Sequence, residues 1–315
     1  MAQFDLLVLG GGPAGYVAAL RGAQLGLNVG VVEREGLGGT CVLWGCIPAK
    51  ALLEAASIAQ KVAKGKEFGV TAEKVTLDYG VAMKRSRQVS AQNSKGVEFL
   101  FKKNKITWLK GTGTLGPNKS VKVTGADGKA ETHTATKGVV IATGSRVKGL
   151  PQIGLELDKQ LILSSDEALT LEKAPATMAV IGAGAVGCEF ADVFNAFGSK
   201  VTLLEVMPRI LPVEDEDCSV ELNKAFKKRG IEVITGAKLG TAKKGKKDVT
   251  IPVEANGEKK EMTFDLVLVA AGRAPNIENI GLKEAGVQTT ERGFIKVNDR
   301  LETSVKGIYA IGDVA

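Results

Sequence analysis

Short apolar runs recur along the chain in a fixed order with glycines and longer amphipathic stretches. The first run, Phe4–Leu9, is followed by glycines and a helix-like stretch that ends near Gly26. A second run, Asn28–Val32, ends at Glu33. Continuous apolar runs of this length between turn residues are typical of buried strands, and apolar positions at a 3.6-residue period are typical of helices. The pattern therefore predicts a strand, a tight turn, a helix and a second strand.

The same pattern occurs again in the second half of the chain. Thr177–Ile181 predicts a strand, a helix then extends to about Phe197, and the strand Lys200–Leu204 ends at Glu205. The spacing from the first glycine of the turn to the acid is identical in the two copies. An internal repeat of this kind predicts two nucleotide-binding units, one after the other.

The two copies also close in the same way, with apolar strands that run into small residues at 138–144 and 266–272. Between the first unit and its closing strand, residues 51–63 and 78–103 predict two helices, and residues 120–134 predict a small antiparallel ribbon. We therefore predict an α/β fold with two Rossmann-like dinucleotide-binding domains.

The domain boundaries follow from this order. The two units divide the chain near residues 148 and 272. The connection begins near Lys148 and contains two prolines, which mark a break between packed elements.

Both strand–helix turns carry the spacing G-x-G-x-x-G, at Gly10, Gly12 and Gly15 and at Gly182, Gly184 and Gly187. In such a loop the first glycine makes the tight turn, and the second lets the backbone approach a pyrophosphate that the helix N-terminus then binds. Glu33 and Glu205 end the second strands, where an acid accepts hydrogen bonds from ribose hydroxyls. An ordinary strand–helix turn is the alternative, which two copies with matched spacing make improbable.

Glu205 also indicates which nicotinamide cofactor the second unit prefers. A carboxylate at this position repels a ribose 2′-phosphate, and Arg209 is the one cation nearby. The sequence therefore favours NAD over NADP.

Cys41 and Cys46 form a pair five residues apart, directly after the first unit. Positions i and i+5 do not share a helix face, so a disulfide between them requires a distorted backbone, which Gly39 and Gly45 permit. A bridge in a strained turn is readily reduced. A metal site or a pair of structural thiols is the alternative, but there is no second cysteine pair and only one histidine. We interpret the pair as redox-active and predict no metal site.

Three other residues with reactive side chains carry no functional prediction. Cys188 is expected in a helix core, Cys218 as a half-exposed thiol, and His133 facing solvent on an edge of the ribbon.

Composition narrows the class of protein. Hydrophobic residues make up 44% and charged residues 24% of the 315 positions, as in soluble globular proteins. We find no apolar run near the roughly 20 residues of a membrane span and no secretory signal. The four cysteines suit a reducing compartment, so we expect a cytoplasmic protein, or one of the mitochondrial matrix after processing. The net charge of +7 lies on scattered lysines without interleaved aromatic residues, which indicates a solvated surface and no nucleic-acid partner.

Six motifs together resemble the class I pyridine nucleotide–disulfide oxidoreductase family, in particular its branch that oxidises dihydrolipoamide. They are Gly10–Gly15, Gly39–Lys50, Ala142–Gly144, Gly182–Glu189, Gly272–Asn276 and Ile311–Asp313. The motifs extend over the whole chain and are highly specific in combination.

The resemblance implies FAD in the first unit and NAD in the second, with the second unit inserted into the first. It thus implies an FAD-binding domain over residues 1–148, an NAD-binding domain over 149–272 and a return to the first domain over 273–315. Cys46 would lie against the flavin, Cys41 would exchange with the substrate, and Asp313 would bind the flavin ribityl chain. Lys50, paired with Glu189, would lie near the flavin, where an ammonium stabilises both a thiolate and a reduced flavin. The full cofactor set is Gly10, Gly12, Pro13, Ala14, Gly15, Glu33, Arg34, Gly39, Thr40, Lys50, Thr143, Gly144, Ser145, Gly182, Gly184, Val186, Gly187, Glu205, Gly272, Arg273, Gly312 and Asp313.

The resemblance also implies a lipoyl carrier domain as substrate, from a 2-oxoacid dehydrogenase or the glycine cleavage system, and no membrane partner. It implies a homodimer through a C-terminal domain whose His–Glu pair serves the partner's active site. The sequence departs from the family at Leu43, usually Asn, and at Ala49, often Ser, and it contains no such histidine. We therefore expect these residues alone not to complete turnover. The alternatives are a mercuric or glutathione-type reductase and a redox-inactive nucleotide-binding scaffold.

Overall fold

The computed structural model describes residues 2–315, which form two compact units. Unit 1 comprises the described residues up to Ile47, then Val89–Arg146 and Arg273–Ala315. Unit 2 comprises Pro48–Gln88 and Val147–Gly272.

The elements of the first half of the chain are β1 (Gln3–Leu9), α1 (Pro13–Gln24), β2 (Val29–Glu33), α2 (Gly39–Leu43), α3 (Cys46–Ala63), α4 (Tyr79–Lys103), β3 (Thr107–Lys110), β4 (Thr112–Leu115), β5 (Ser120–Thr124), β6 (Ala130–Ile141) and β7 (Ser145–Val147). Those of the second half are β8 (Ile162–Leu163), α5 (Ser165–Ala168), β9 (Thr177–Ile181), α6 (Ala185–Ala196), β10 (Lys200–Leu204), α7 (Glu216–Lys228), β11 (Glu232–Ile234), β12 (Lys238–Leu239), β13 (Lys243–Lys244), β14 (Val249–Ala255), β15 (Glu258–Phe264), β16 (Leu266–Val269), β17 (Arg273–Pro275), α8 (Leu282–Ala285) and β18 (Ile308–Ala310). Short 3₁₀ turns occur at Gly65–Phe68 and Pro151–Ile153.

Unit 1 is built on a seven-stranded sheet in the order β3-β2-β1-β6-β5-β4, with β18 also paired to β6. The strands β3, β2, β1 and β18 run parallel to their neighbours, and β4, β5 and the first part of β6 form the antiparallel ribbon. β1 is buried on both faces. Leu7 and Leu9 belong to one hydrophobic cluster and Val8 to another, which includes residues of α1 and α4. A strand covered on both faces explains the continuous apolar run in the sequence.

Unit 2 contains the second copy. Its five-stranded sheet has the order β11-β10-β9-β16-β8 and is parallel throughout. β9 is again buried on both faces, with Met178 and Val180 in one cluster and Ala179 and Ile181 in another. A separate antiparallel sheet of β12 to β15 follows β11. The α/β class and the two Rossmann-like units that the repeat predicted are therefore confirmed.

The structure corrects one domain assignment. We predicted residues 48–88 within the first domain, but they pack in unit 2. Leu52 and Tyr79 share a buried cluster with Phe194, and the Tyr79 and Phe194 rings stack at 5.2 Å between centroids. Large apolar side chains on these helices find their burial partners on α6, which a linear pattern does not reveal.

His133 is also placed differently from the prediction, which had it facing solvent on an edge. It is 5% exposed, its Nδ1 accepts a hydrogen bond from the Ala2 amide at 3.3 Å, and its ring meets that of Phe4 edge-on. The residue is buried because β6 is an interior strand, with β1 on one side and β5 on the other.

One stretch is long and apolar enough to cross a membrane by length and composition alone. Residues 39–63 have a mean hydropathy of 1.4 over an 18-residue window. The stretch contains two helices, and Leu52 and Ala56 are fully buried in the core of unit 2. The core helix of a globular protein passes the same test, so this observation is weak evidence for a membrane span.

Candidate functional site

The first glycine loop has the geometry of a strand–helix turn that only glycine fits. Gly10 has a φ of 105°, and a Cβ added there would overlap the Ala142 carbonyl oxygen. A Cβ at Gly15 would overlap the Gly10 carbonyl oxygen, so α1 lies directly against the turn. These two glycines are required by packing, because any side chain would force the strand end, the turn and the helix apart.

Gly12 differs from its neighbours because it has open space beside it. An added Cβ would meet only the Gly39 Cα, at 3.7 Å, and the backbone is extended, with φ −72° and ψ −177°. Gly12 is the N-cap of α1, has no side-chain cap and is followed by Pro13. The amides of the first helical turn are thus available to an anion. Ala14, in this turn, lies beside Gly312, where an added Cβ would come within 2.9 Å of the Ala14 Cβ.

Glu33 closes the first loop from the end of β2. Its carboxylate accepts hydrogen bonds from the Gly11 amide at 2.8 Å and the Glu35 amide at 2.9 Å. Arg34, which we predicted as a cofactor residue, lies on the surface and pairs with Glu35 at 3.7 Å. The acid is therefore fixed next to the loop.

The two cysteines lie on different helices, as the predicted backbone distortion requires. Cys41 is in the short α2, whose C-cap residue Trp44 has a φ of −137°, and Cys46 begins α3. Gly45 brings the segments together: a Cβ there would lie 3.5 Å from the Cys41 Cα. Both cysteines are thiols in this structure, Cys41 half-buried and Cys46 exposed. The thiol that the resemblance assigns to the flavin side is thus the more accessible one.

The cysteine segment is fastened to the first glycine loop. The Gly38 amide donates a hydrogen bond to the Gly11 carbonyl oxygen at 2.8 Å. Gly39 contacts Gly12 so closely that a Cβ on Gly39 would overlap the Gly12 Cα. Thr40, also predicted as a cofactor residue, is exposed on the same short helix. The structure thus places the segment that carries Cys41 directly beside the first glycine loop.

A polar network joins the residues that follow β6 and β18 in unit 1 to residues 273–276. Arg273 Nε donates to the Ser145 hydroxyl at 2.7 Å, and this hydroxyl donates to Asp313 Oδ2 at 2.7 Å. The Thr143 hydroxyl donates to the Asn276 carbonyl oxygen at 2.7 Å, and the Asn276 amide donates to the Gly144 carbonyl oxygen at 2.8 Å. Asp313 is thereby oriented by two residues of other segments, a link that the sequence did not reveal.

The second loop repeats the geometry of the first within unit 2. A Cβ at Gly187 would overlap the Gly182 carbonyl oxygen, and one at Gly184 would meet nothing within 4 Å. Gly184 caps α6 with φ −72° and ψ −175°, nearly the values at Gly12, and Val186 in the first turn is 41% exposed. The second helix N-terminus is therefore open to an anion in the same way.

Glu205 is more deeply buried than its counterpart in the first loop. It is 6% exposed, and its carboxylate accepts hydrogen bonds from the Ala183 amide at 2.6 Å and the Met207 amide at 2.8 Å. Arg209 is engaged elsewhere, since its guanidinium donates to the carbonyl oxygens of Pro212 at 3.2 Å and Glu214 at 2.9 Å. The Glu205 carboxylate thus lies directly against the second loop.

Lys50 and Glu189 form the ion pair that the resemblance implied. The Lys50 ammonium lies 2.6 Å from Glu189 Oε1, with the lysine side chain 60% exposed and the glutamate 26% exposed. The two residues belong to α3 and α6 of unit 2. Gly272, also of unit 2, accepts a hydrogen bond from the Lys148 amide at 3.2 Å.

Cys188 is a core thiol, as predicted. It is 5% exposed, and its Sγ donates to the Ala183 carbonyl oxygen at 3.4 Å. Burial, followed by the charges of Glu205 and Glu189, raises the pKa of this thiol to about 12. Cys188 therefore stays protonated and unreactive near neutral pH, whereas Cys218 is exposed.

Comparison with known proteins agrees with this geometry. Residues 4–315 match the family model described as pyridine nucleotide-disulphide oxidoreductase. The chain belongs to this family. The family membership covers both glycine loops, the cysteine segment and the closing strands in one continuous match.

Several curated proteins that are similar to this chain have the same name. Proteins named dihydrolipoyl dehydrogenase are 44% identical over 314 residues in Chlorobaculum parvum, 42% over 321 in Bacillus subtilis and 43% over 315 in Mycobacterium tuberculosis. These alignments cover 99 to 100% of the chain but only 66 to 67% of the relatives. The chain thus spans about two thirds of the length of the curated relatives it matches.

Solved structures of the family share the fold over the whole chain. LpdA from Mycobacterium tuberculosis aligns with a TM-score of 0.90 at 26% identity, over 100% of this chain and 68% of that one. RclA from Escherichia coli, described as a HOCl-induced flavoprotein disulfide reductase and solved as a Cu(II) complex, aligns with a TM-score of 0.85 at 26% identity. The alignment with RclA covers 100% of this chain and 66% of the RclA chain.

Proposed function

We propose that this chain carries the FAD-binding and NAD-binding part of an enzyme that oxidises dihydrolipoamide to lipoamide and reduces NAD to NADH. The observation that carries the proposal is the attachment of the cysteine segment to the first glycine loop, through Gly38, Gly39, Gly11 and Gly12. A dithiol in contact with a dinucleotide loop serves a reaction in which electrons pass between thiols and a bound cofactor. The relatives named dihydrolipoyl dehydrogenase support the choice of dithiol.

The residues of unit 1 fit FAD. The open space at Gly12 and the uncapped N-terminus of α1 suit a pyrophosphate. Glu33, which is fixed beside the loop, offers a carboxylate to a ribose hydroxyl. Asp313, oriented by Ser145, offers a carboxylate to a further hydroxyl. FAD, when bound, supplies the two-electron carrier between the dithiol and the nicotinamide.

The dithiol step balances at the two cysteines. A thiolate of dihydrolipoamide attacks the Cys41 sulfur of the Cys41–Cys46 disulfide, and Cys46 leaves as a thiolate. The second substrate thiolate then attacks the substrate sulfur of the mixed disulfide, which closes lipoamide and releases Cys41. Two electrons thereby move from substrate to the cysteine pair, and two protons leave the substrate thiols. Lys50, on the same helix as Cys46, forms an ion pair with Glu189.

Partners and location follow from the same proposal. The substrate dithiol would be carried on a lipoyl domain, the intact protein would be a homodimer, and the reaction would take place in the cytoplasm or mitochondrial matrix. The one histidine, His133, is buried against Phe4 and bound to the Ala2 amide, so it cannot serve as the acid–base group of the dithiol step.

The purified chain is expected to retain FAD through gel filtration after reconstitution, and NADH is expected to bleach its absorbance. Dihydrolipoamide-dependent NAD reduction by these residues is expected to be about 10²- to 10⁴-fold slower than in a family member with an acid–base histidine, the typical contribution of such a group. A folded chain that retains no flavin would favour the alternative of a redox-inactive nucleotide-binding scaffold. Preferential reduction of glutathione disulfide or mercuric ion would point to the other reductases of the family.

Cofactor choice is expected to depend on Glu205. NADH should bind at least about 10-fold more tightly than NADPH, because two like charges about 4 Å apart near a protein surface repel by up to ~4 kcal/mol. Glu205→Gln keeps the shape of the side chain and one acceptor oxygen but removes the charge. It should bring the dissociation constants for NADH and NADPH closer together. Glu205→Arg should reduce the difference between these two dissociation constants further. The measurement is a fluorescence titration of each protein with NADH and NADPH. Equal affinities of the unaltered chain for both would contradict the assignment.

A further inference from the structure

Three buried serines lie on one face of α4. Ser86, Ser90 and Ser94 are spaced four residues apart, which places them one above the other along the helix. Their exposures are 0%, 0% and 8%. Buried hydroxyl groups need hydrogen-bond partners. The groups that accept from these serines therefore show which segments this face of α4 binds.

Two of the three serines bind the segment that carries Cys41. The Ser90 hydroxyl donates to the Val42 carbonyl oxygen at 2.7 Å, and the Ser94 hydroxyl donates to the Leu37 carbonyl oxygen at 2.6 Å. The acceptors lie on either side of Cys41, one directly after it and one just before α2. Ser86 differs, because its hydroxyl donates to the Met83 carbonyl oxygen of its own helix at 2.9 Å.

The segment needs such support because α2 has only five residues. A helix this short is not stable by itself, and its last carbonyl groups have no partner within the helix. Val42 is one of these residues, and Ser90 satisfies its carbonyl oxygen. The N-terminal end of α2 is held from another direction by the bond from the Gly38 amide to Gly11. The position of Cys41 thus depends on contacts outside its own helix.

We propose that Ser90 and Ser94 are positioning residues that hold Cys41 in place for disulfide exchange with Cys46. This inference rests on the proposed redox role of the cysteine pair. A fixed α2 keeps the Cys41 sulfur within reach of Cys46, which raises the effective concentration of one thiol toward the other. Loss of either anchor lets α2 move, so that the disulfide becomes less favourable relative to the dithiol.

The test is a thiol–disulfide equilibrium of the full chain with dithiothreitol. When the Cys41–Cys46 bond forms, the two thiols give up two electrons and two protons, and oxidised dithiothreitol takes them up as its own S–S bond breaks. Samples equilibrated at graded ratios of reduced to oxidised dithiothreitol are acid-quenched and alkylated. Peptide mass spectrometry then gives the fraction of Cys41 and Cys46 in the disulfide.

Ser90→Ala and Ser94→Ala are each expected to shift the equilibrium about 10-fold toward the dithiol, which for a two-electron couple is about 30 mV. Ser86→Ala is the matched control, since it removes a buried hydroxyl from the same helix face without touching α2. It is expected to leave the equilibrium unchanged, even if all three variants lower the melting temperature. If Ser90→Ala does not fold, Ser94→Ala, at the less buried position, decides.

An equilibrium in Ser90→Ala and Ser94→Ala equal to that of the unaltered chain would overturn the positioning role. A shift in Ser86→Ala of the same size would do so too, because the effect would then come from loss of helix packing. Failure of the unaltered chain to form the disulfide at any ratio would instead contradict the proposed function, so the two failures are distinguishable.

Discussion

Gly12→Val is expected to abolish FAD binding and to leave NADH binding intact, and Gly184→Val is expected to do the reverse. Both positions have open space and extended backbone, which a β-branched side chain tolerates, so the fold should accept valine at each. The added methyl groups would occupy the space through which a pyrophosphate approaches the helix N-terminus. We expect a loss of at least about 100-fold in affinity at the altered loop, or ~2.8 kcal/mol.

The measurement is a titration of apoprotein variants with FAD and with NADH, together with thermal unfolding of the unliganded proteins. Each variant serves as the control for the other. If either variant bound both FAD and NADH more weakly, at an unchanged melting temperature, the two loops would not be separate sites. Gly10→Ala provides the structural contrast, since its Cβ would overlap the Ala142 carbonyl oxygen. It should lower the stability by several kcal/mol, as overpacking and backbone strain do together.

Ellman's reagent is expected to convert the cysteine pair into a disulfide. Attack by one thiolate releases one thionitrobenzoate and leaves a mixed disulfide, which the second cysteine then attacks to release another thionitrobenzoate and close the bond. The unaltered chain should therefore release two equivalents from the pair and keep no adduct on Cys41 or Cys46. Cys41→Ser and Cys46→Ser should each release one equivalent from the remaining thiol and retain its adduct.

Intact-mass and peptide measurements on these proteins provide the readout. Cys218→Ser is the matched control, because Cys218 is exposed and should contribute one further equivalent and one stable adduct to every protein that contains it. Cys188 should contribute nothing, since its pKa is raised to about 12 by burial and by two nearby carboxylates. A chain that carries separate adducts on both Cys41 and Cys46 would mean that the two sulfurs cannot meet.

The sequence predicted those parts of the structure that depend on local pattern. β9 and β10 have the predicted bounds, and the helices that begin at Pro13 and Ala185 follow their glycine loops as expected. These elements combine an apolar run, a glycine turn and a helix in immediate succession. Local propensity and burial therefore favour the same structure, and prediction succeeds.

The elements that the sequence did not predict depend on partners far along the chain. In the small sheet, β12, β13 and β15 contain lysines, and β14 has buried apolar residues only at alternate positions and is interrupted by Pro252. The helix α7 has a strongly charged face, so none of these elements has a continuous apolar run. The burial of His133 follows from the pairing of β6 with β1. Ser90 is 48 positions from the carbonyl group that it binds, and Ser145 is 168 from Asp313. No local spacing specifies such contacts.

The candidate site shows the same division. The glycines and the acids at the strand ends could be assigned from spacing, because their roles belong to a short continuous motif. The orientation of Asp313 by Arg273 and Ser145, and the anchoring of α2 by α4, could not, since both link separate segments. The sequence also did not predict the hydrogen bonds from Arg209 to the carbonyl oxygens of Pro212 and Glu214, although they bear directly on cofactor choice.

The discontinuity of unit 1 has a consequence for biosynthesis. β6 acquires its parallel partner β18 only when residues 308–310 have been made, whereas the five-stranded sheet of unit 2 is complete once residue 269 has emerged. Because chains are synthesised from the N-terminus, the domain that begins first is finished last. In the interval, the Val139–Ile141 edge of β6 presents unpaired backbone groups, a surface that other strands can join. Nascent chains stalled between residues 270 and 307 should therefore be the most prone to aggregation and the most dependent on chaperones.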